Sequence, residues 1–187
     1  NKSIKRPQGI FPSLPSGMDG ILKKHFDRYI GKGLPPELQS LKGVELFADK
    51  KLLDLWRSNF KGIRMETEDF LLHGAVDNIL VSGKKLIVLD YKTRGFPLKE
   101  DTHDHYQDQL DLYNLLLRKN GHETEDYAYL LFYHPKEVLE NGDVRFNQDL
   151  IKLKISIVNA EKILKKATTT INGTCPEKTC VWCANIV

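Results

Sequence analysis

The sequence lacks any long uninterrupted run of apolar residues. A membrane-spanning helix needs roughly 18 to 20 consecutive apolar residues. The 187-residue chain, which is 41% hydrophobic and 28% charged, contains no such run. We therefore expect no membrane contact. We also expect a single globular domain over residues 1–187, because a chain of this length can bury a substantial core.

The sequence also has only a small net charge. Lys and Arg total 28 against 25 Asp and Glu, which gives a net charge of +3. A binding surface for nucleic acid usually shows as a pronounced basic excess. The net charge thus permits a nucleic-acid partner without indicating one.

Cysteine is scarce, and all three cysteines lie near the C-terminus. Three cysteines do not make the even-numbered disulfide framework of a small secreted protein. No signal peptide follows Asn1. We therefore expect a cytoplasmic location, and a chain that is either trimmed or part of a longer polypeptide.

Hydrophobic periodicity alternates between helical and strand spacing along the chain. Helical spacing follows a Pro- and Gly-rich stretch that we predict to be an extended arm, and "SGKK" and "NGD" predict turns between strands. The pattern favours an α/β sandwich with helices around a mixed central sheet. The predicted elements are an arm at 1–18, helices at 18–33, 50–59, 103–121 and 156–171, strands from 63 to 93, at 126–134 and at 144–155, and a tail at 172–187.

The stretch "IVLDYKTRG" ends an apolar strand with two charges. Side chains alternate across a strand, so Asp90 and Lys92 share the face of Leu86 and Val88, which the pattern marks as buried. The simple explanation is that the strand emerges into solvent at this point, since charged residues are seldom buried unless paired.

A second carboxylate argues against that explanation. Asp77 interrupts the preceding apolar strand, and Gly74 before it is typical of a bulge or a close backbone approach. If the two strands pair around "SGKK", Asp77 and Asp90 lie at the same end of the hairpin. Two neighbouring carboxylates repel each other and raise one pKa, and a divalent cation between them removes that conflict.

Oxygen ligands of this kind suit Mg²⁺ or Mn²⁺. Such an ion activates water and neutralises charge on an attacked phosphoryl group. Lys92, on the face of Asp90, is placed to orient that water or to stabilise the transition state. The pattern therefore indicates cleavage of phosphodiester bonds.

The predicted helix from about Asp104 adds two polar residues. Gln109 and Tyr113 are four residues apart and lie on one helical face. A buried tyrosine hydroxyl commonly finds such a partner for purely structural reasons, but this pair follows directly after the candidate metal strand.

Three pieces of sequence together resemble a known signature. Gly74-Ala75-Val76-Asp77, Asp90-Tyr91-Lys92 and Gln109-x-x-x-Tyr113 resemble the motifs of the PD-(D/E)XK nucleases, specifically the RecB-like branch with its CRISPR-associated exonucleases. The resemblance implies a restriction-endonuclease-like sandwich. It also implies that Asp77, Asp90 and the backbone carbonyl of Tyr91 bind metal, that Lys92 is the catalytic lysine, and that Gln109 and Tyr113 position the DNA or the active-site geometry.

Members of this family often have a further His or Glu ligand upstream. His25 on the first predicted helix is the first candidate here, and Glu45 is the second. A lone histidine on a helix is more often a packing or surface residue.

The C-terminal tail "CPEKTCVWC" raises the question of a second metal. Several RecB-like nucleases hold a [4Fe-4S] cluster with three C-terminal cysteines and one far upstream, and this sequence lacks the upstream one. A cluster or a Zn²⁺ ion normally needs four ligands. The fourth is then a histidine, a residue before Asn1, or absent, in which case the cysteines are reduced thiols or a partial disulfide. The cysteines concerned are Cys175, Cys180 and Cys183.

The resemblance implies DNA as substrate and a role in DNA repair, recombination, or phage or CRISPR-related processing, with exonuclease action favoured over endonuclease action. Helicase, CRISPR or recombination proteins are the expected partners. Arg94, Lys99, His103 and His105 follow the catalytic strand, where phosphate contacts are useful. Two alternatives are a non-catalytic DNA-binding or scaffold module, and a phosphohydrolase for small nucleotides.

Overall fold

The fold was obtained as a computed structural model that describes Gly9 and residues 11–174. These residues form seven strands and four α-helices. The strands are β1 (Glu45–Leu46), β2 (Ile63–Glu66), β3 (Leu71–Gly74), β4 (Asn78–Ser82), β5 (Lys85–Thr93), β6 (Tyr127–Val138) and β7 (Val144–Lys154). The helices are α1 (Ser13–Asp27), α2 (Lys50–Trp56), α3 (Gln107–Lys119) and α4 (Ile157–Asn172).

The central sheet has five strands in the order β1-β4-β5-β6-β7. Strands β5 and β6 pair in parallel, and the other neighbours pair antiparallel. The parallel pair is connected by α3, because parallel neighbours need a crossover rather than a tight turn. This arrangement confirms the predicted restriction-endonuclease-like α/β sandwich with a mixed sheet.

The two faces of the sheet bury different helices. On one face, Leu22 and Phe26 of α1 pack with Ile87, Leu89 and other residues of the sheet. On the other face, residues of α2 and α3 pack against Val88 and its neighbours. Successive side chains of β5 therefore pack alternately into the two cores, and Asp90 and Lys92 point to the face of the sheet that α3 covers.

Helix α3 is fixed to α4 by a buried carboxylate. Asp111 is fully buried, and its oxygens accept hydrogen bonds from the backbone N–H of Ser156 and from the Asn159 and Gln107 side-chain amides, each at 2.8 Å. A buried charge is tolerated when its acceptors are satisfied in this way. The bonds hold in place the helix that carries Gln109 and Tyr113.

Two sequence predictions differ from the structure. The last six residues of the predicted extended arm, 13–18, are helical. Pro15 does not prevent this, because it lies in the first turn, where the backbone N–H has no intrahelical acceptor. The strands predicted between residues 63 and 93 do not form one sheet, because β2 and β3 form a separate two-stranded sheet. The cysteine tail lies outside the described residues.

Two glycines allow close approaches where the small sheet packs against α3. A Cβ atom on Gly62, whose φ is +59°, would come within 2.4 Å of the Gly74 carbonyl oxygen, and one on Gly74 would come within 2.7 Å of Cε1 of Tyr113. The small sheet is thus pressed against α3, and the chain turns after Gly74 before it enters β4. Within the described residues, no helix is long and apolar enough to span a membrane.

Candidate active site

The register of the β4–β5 hairpin brings the two predicted aspartates together. The pairing ends at Asn78 and Leu89, so Asp77 and Asp90 follow at the same end of the hairpin. A hydrogen bond of 2.9 Å from the Tyr91 N–H to Oδ2 of Asp77 holds the Asp77 carboxylate beside β5. The Asp90 side chain is 3% exposed and that of Asp77 is 18% exposed. Asp90 is therefore buried, and Asp77 is partly buried.

Burial dominates the titration of both groups. For Asp90, burial and then repulsion by Asp77 raise the pKa to about 7, although Lys92 acts in the opposite direction. Burial also raises the pKa of Asp77, opposed by Lys23 and by the backbone N–H of Tyr91. Perturbed carboxylates of this kind mark a candidate functional site.

Lys92 connects the carboxylates to α3. Its ammonium group contacts Oδ2 of Asp90 and donates a hydrogen bond of 3.0 Å to Oε1 of Gln109. It also lies 4.5 Å from the ring centre of Tyr106. The Lys92 side chain is 16% exposed, so its position is restricted on several sides.

Gln109 and Tyr113 continue this chain of contacts. The amide nitrogen of Gln109 donates to the Tyr113 hydroxyl at 2.8 Å, which leaves the amide oxygen facing Lys92. The Tyr113 ring packs against Gly74, where a Cβ would be too close. The three predicted motifs therefore meet in one network that runs from Gly74 to Asp90.

The backbone of Tyr91 also reaches the carboxylates. Its N–H donates to Oδ2 of Asp77 at 2.9 Å, while its hydroxyl accepts a hydrogen bond of 2.7 Å from the Asn78 amide on the opposite face of the sheet. The N–H therefore orients Asp77. The predicted role of the Tyr91 carbonyl in metal binding stays a prediction.

The structure does not bring the two upstream candidates to this site. Nε2 of His25 lies 3.0 Å from Oε1 of Glu37, whose carboxylate also accepts a hydrogen bond from Tyr133. In the described part of the chain, no hydrogen bond or ion pair joins His25 to Asp77 or Asp90. Glu45 is exposed and pairs with Val81, which is four residues, or roughly 13 Å, along β4 from Asp77.

Instead, α1 presents Asp19 and Lys23 to the carboxylates. Nζ of Lys23 lies 3.1 Å from Oδ1 of Asp77 and 2.7 Å from Oδ1 of Asp19. His25 is two residues from Lys23, and successive helical residues are rotated by about 100°, so the two side chains leave nearly opposite sides of α1. The i, i+4 spacing of Asp19 and Lys23 was visible in the sequence but resembles any surface pair.

Arg57 is another residue that the motifs did not predict. Its Nε donates to the backbone carbonyl of Asp77 at 2.7 Å, and its Nη1 donates to Asp27 at 2.8 Å. The side chain is 7% exposed. Arg57 therefore joins α2, α1 and the turn that carries Asp77. Of the candidate DNA contacts after β5, Arg94 and His103 are half-buried, and Lys99 and His105 are exposed.

Comparison with family models agrees with this geometry. The model described as the PD-(D/E)XK nuclease superfamily matches residues 10–185. The chain belongs to the PD-(D/E)XK nuclease superfamily. Membership indicates a nuclease. A comparison with curated proteins gives no match.

Proposed function

We propose that this PD-(D/E)XK protein is a metal-dependent deoxyribonuclease of the RecB-like branch that hydrolyses phosphodiester bonds, with exonuclease action favoured. One observation carries the proposal: Asp77 and Asp90 come together at one end of the β4–β5 hairpin, and Asp90 contacts the ammonium group of Lys92. The order of the Gly74, Asp90 and Gln109 motifs supports the RecB-like branch and DNA as substrate.

The donor groups fit a hard divalent cation. Oδ2 of Asp90 is buried, and the Lys92 ammonium group is its one polar partner among the described residues. Those residues hold no group of three or more His, Cys, Asp or Glu side chains suited to a metal. Mg²⁺ accepts one or two protein carboxylates and keeps several waters. We therefore propose Asp77, Asp90 and the Tyr91 carbonyl as ligands of Mg²⁺ or Mn²⁺.

Held by these residues, the cation supplies Lewis-acid chemistry, lowering the pKa of water and neutralising charge on the phosphate. Lys92 contributes a positive charge where negative charge develops on the attacked phosphate. Asp90 and Gln109 hold that ammonium group from two sides, and the Tyr106 ring lies beside it. Gln109 is itself held by Tyr113, so α3 positions the lysine.

The proposal is tested by incubating the protein with single- and double-stranded DNA, with and without Mn²⁺. We expect Mn²⁺-dependent cleavage that is lost in Asp90→Ala and Lys92→Ala while DNA binding is retained. Asp69→Ala, at an exposed position in the β2–β3 turn, is the matched control and should cleave normally. DNA binding without cleavage by the parent protein would favour a scaffold module, and turnover of mononucleotides would favour a small-molecule phosphohydrolase.

The remaining parts of the proposal concern partners and a second metal. Helicase, CRISPR or recombination proteins are the proposed partners, on the support of the RecB-like motifs alone. Cys175, Cys180 and Cys183 are proposed ligands of an iron-sulfur cluster or Zn²⁺ and lie outside the described residues. Metal analysis of protein purified with and without oxygen tests this second site.

A further inference from the structure

The α1 helix places a second lysine directly in the carboxylate cluster. Nζ of Lys23 lies 3.1 Å from Asp77 and within 2.9 Å of both carboxylate oxygens of Asp19. Its side chain is 21% exposed. One ammonium group therefore contacts two carboxylates, one of which is a proposed metal ligand.

The environment of Lys23 differs from that of an ordinary surface ion pair. An exposed Asp–Lys pair at i, i+4 contributes little, because water screens both charges. Here the ammonium group lies within 3.1 Å of two carboxylates, and the side chains of Lys23 and Asp77 are only 21% and 18% exposed. Lys23 therefore neutralises part of a cluster that would otherwise hold uncompensated negative charge in a partly buried place.

Lys23 uses an oxygen that the proposed metal would need. The Tyr91 N–H occupies Oδ2 of Asp77, and Lys23 occupies Oδ1. An ammonium group and a divalent cation repel each other at this range, so they do not share one carboxylate oxygen without cost. The long flexible stem of lysine allows the group to leave Asp77 while it keeps Asp19.

We propose that Lys23 is the built-in counter-cation of the metal site: it holds Asp77 in the metal-free protein and gives up that carboxylate when a divalent cation binds. This inference rests on the proposed metal-dependent function. It predicts that the wild-type protein binds the metal more weakly than the carboxylates alone would allow, and that the metal-free site stays ordered because Lys23 neutralises it.

Two measurements on Lys23→Met test the proposal, with Lys24→Met, at the adjacent exposed position of α1, as the matched control. Titration calorimetry with Mn²⁺ at pH 8 should show roughly tenfold tighter binding for Lys23→Met, because a competing charge close to the site is removed. Its melting temperature in EDTA should fall, and Mn²⁺ should raise that temperature more than in the wild type. Lys24→Met should match the wild type in both.

Equal or weaker Mn²⁺ binding by Lys23→Met, in a wild-type protein that binds the ion, would overturn the inference and leave the proposed function standing. Absence of Mn²⁺ binding in both proteins would overturn both. If Lys23→Met does not fold, the wild-type protein provides the test through the ¹⁵N resonance of the Lys23 ammonium group. Saturating Mg²⁺ should shift this resonance and speed its proton exchange with water, and an unchanged resonance would refute the displacement.

Discussion

Replacing Asp90 with asparagine is expected to stabilise the metal-free protein at alkaline pH. Burial, followed by repulsion from Asp77, raises the pKa of this carboxyl from 3.8 to about 7. The folded state therefore binds the proton more tightly than the unfolded state. Stability is greatest at acid pH, falls as the pH rises from about 4 to 7, and stays low above that. Three pKa units at about 1.36 kcal/mol each set an upper limit of about 4 kcal/mol.

The attraction between Asp90 and Lys92 is already contained in this pKa. The expected gain is smaller than the limit, because the amide NH2 of asparagine is a donor only, whereas a protonated carboxyl oxygen can still accept. We expect about 1 to 3 kcal/mol at pH 8, which corresponds to a rise in melting temperature of roughly 3 to 10 °C for a chain of this size. Thermal unfolding followed by circular dichroism in EDTA, between pH 5 and 8.5, measures it. The melting temperature of the wild type should fall over this range, and that of Asp90→Asn should fall less.

Asp69→Asn is the matched control, since this carboxylate is exposed in the β2–β3 turn and should leave the pH profile unchanged. Adding Mn²⁺ should stabilise the wild type and have little effect on Asp90→Asn. An Asp90→Asn protein that melts below the wild type at pH 8, or that keeps the full pH dependence, would refute the reasoning from burial.

Two further predictions concern the contacts that position Lys92. Gly74→Ala places a methyl group 2.7 Å from the Tyr113 ring, so we expect the free energy of unfolding, measured in urea, to fall by about 1 to 3 kcal/mol. Gly95→Ala, at a position with open space around it, is the control and should leave this free energy unchanged. An equally unchanged value for Gly74→Ala would contradict the packing argument. Gln109→Leu removes the hydrogen bond to Lys92, so we expect kcat to fall about 10- to 100-fold with KM little changed; a change in KM alone would indicate a role in DNA binding instead.

The buried position of Asp90 and Lys92 explains why the strand tolerates charges at its end. The two groups neutralise each other, and Gln109 supplies the acceptor for the ammonium group. A strand that simply emerged into solvent would leave both side chains exposed. Their exposed fractions of 3% and 16% exclude that simpler explanation.

Local sequence rules were sufficient for the central part of the candidate site. Strand alternation set Asp90 and Lys92 on one face, and the short "SGKK" turn determined the hairpin register that brings Asp77 and Asp90 to the same end of the hairpin. The helical repeat set Gln109 and Tyr113 side by side. Each of these relations joins residues close in sequence, whose geometry depends on backbone periodicity.

Tertiary structure alone decided which residues of α1 reach the carboxylates. The sequence favoured His25, but α1 buries Leu22 and Phe26 against the sheet, and this rotation turns Lys23 toward Asp77 and His25 toward Glu37. The sequence also did not predict that the β2–β3 sheet packs against Tyr113. Both depend on how separate elements pack together, and periodicity within one element carries no information about that packing.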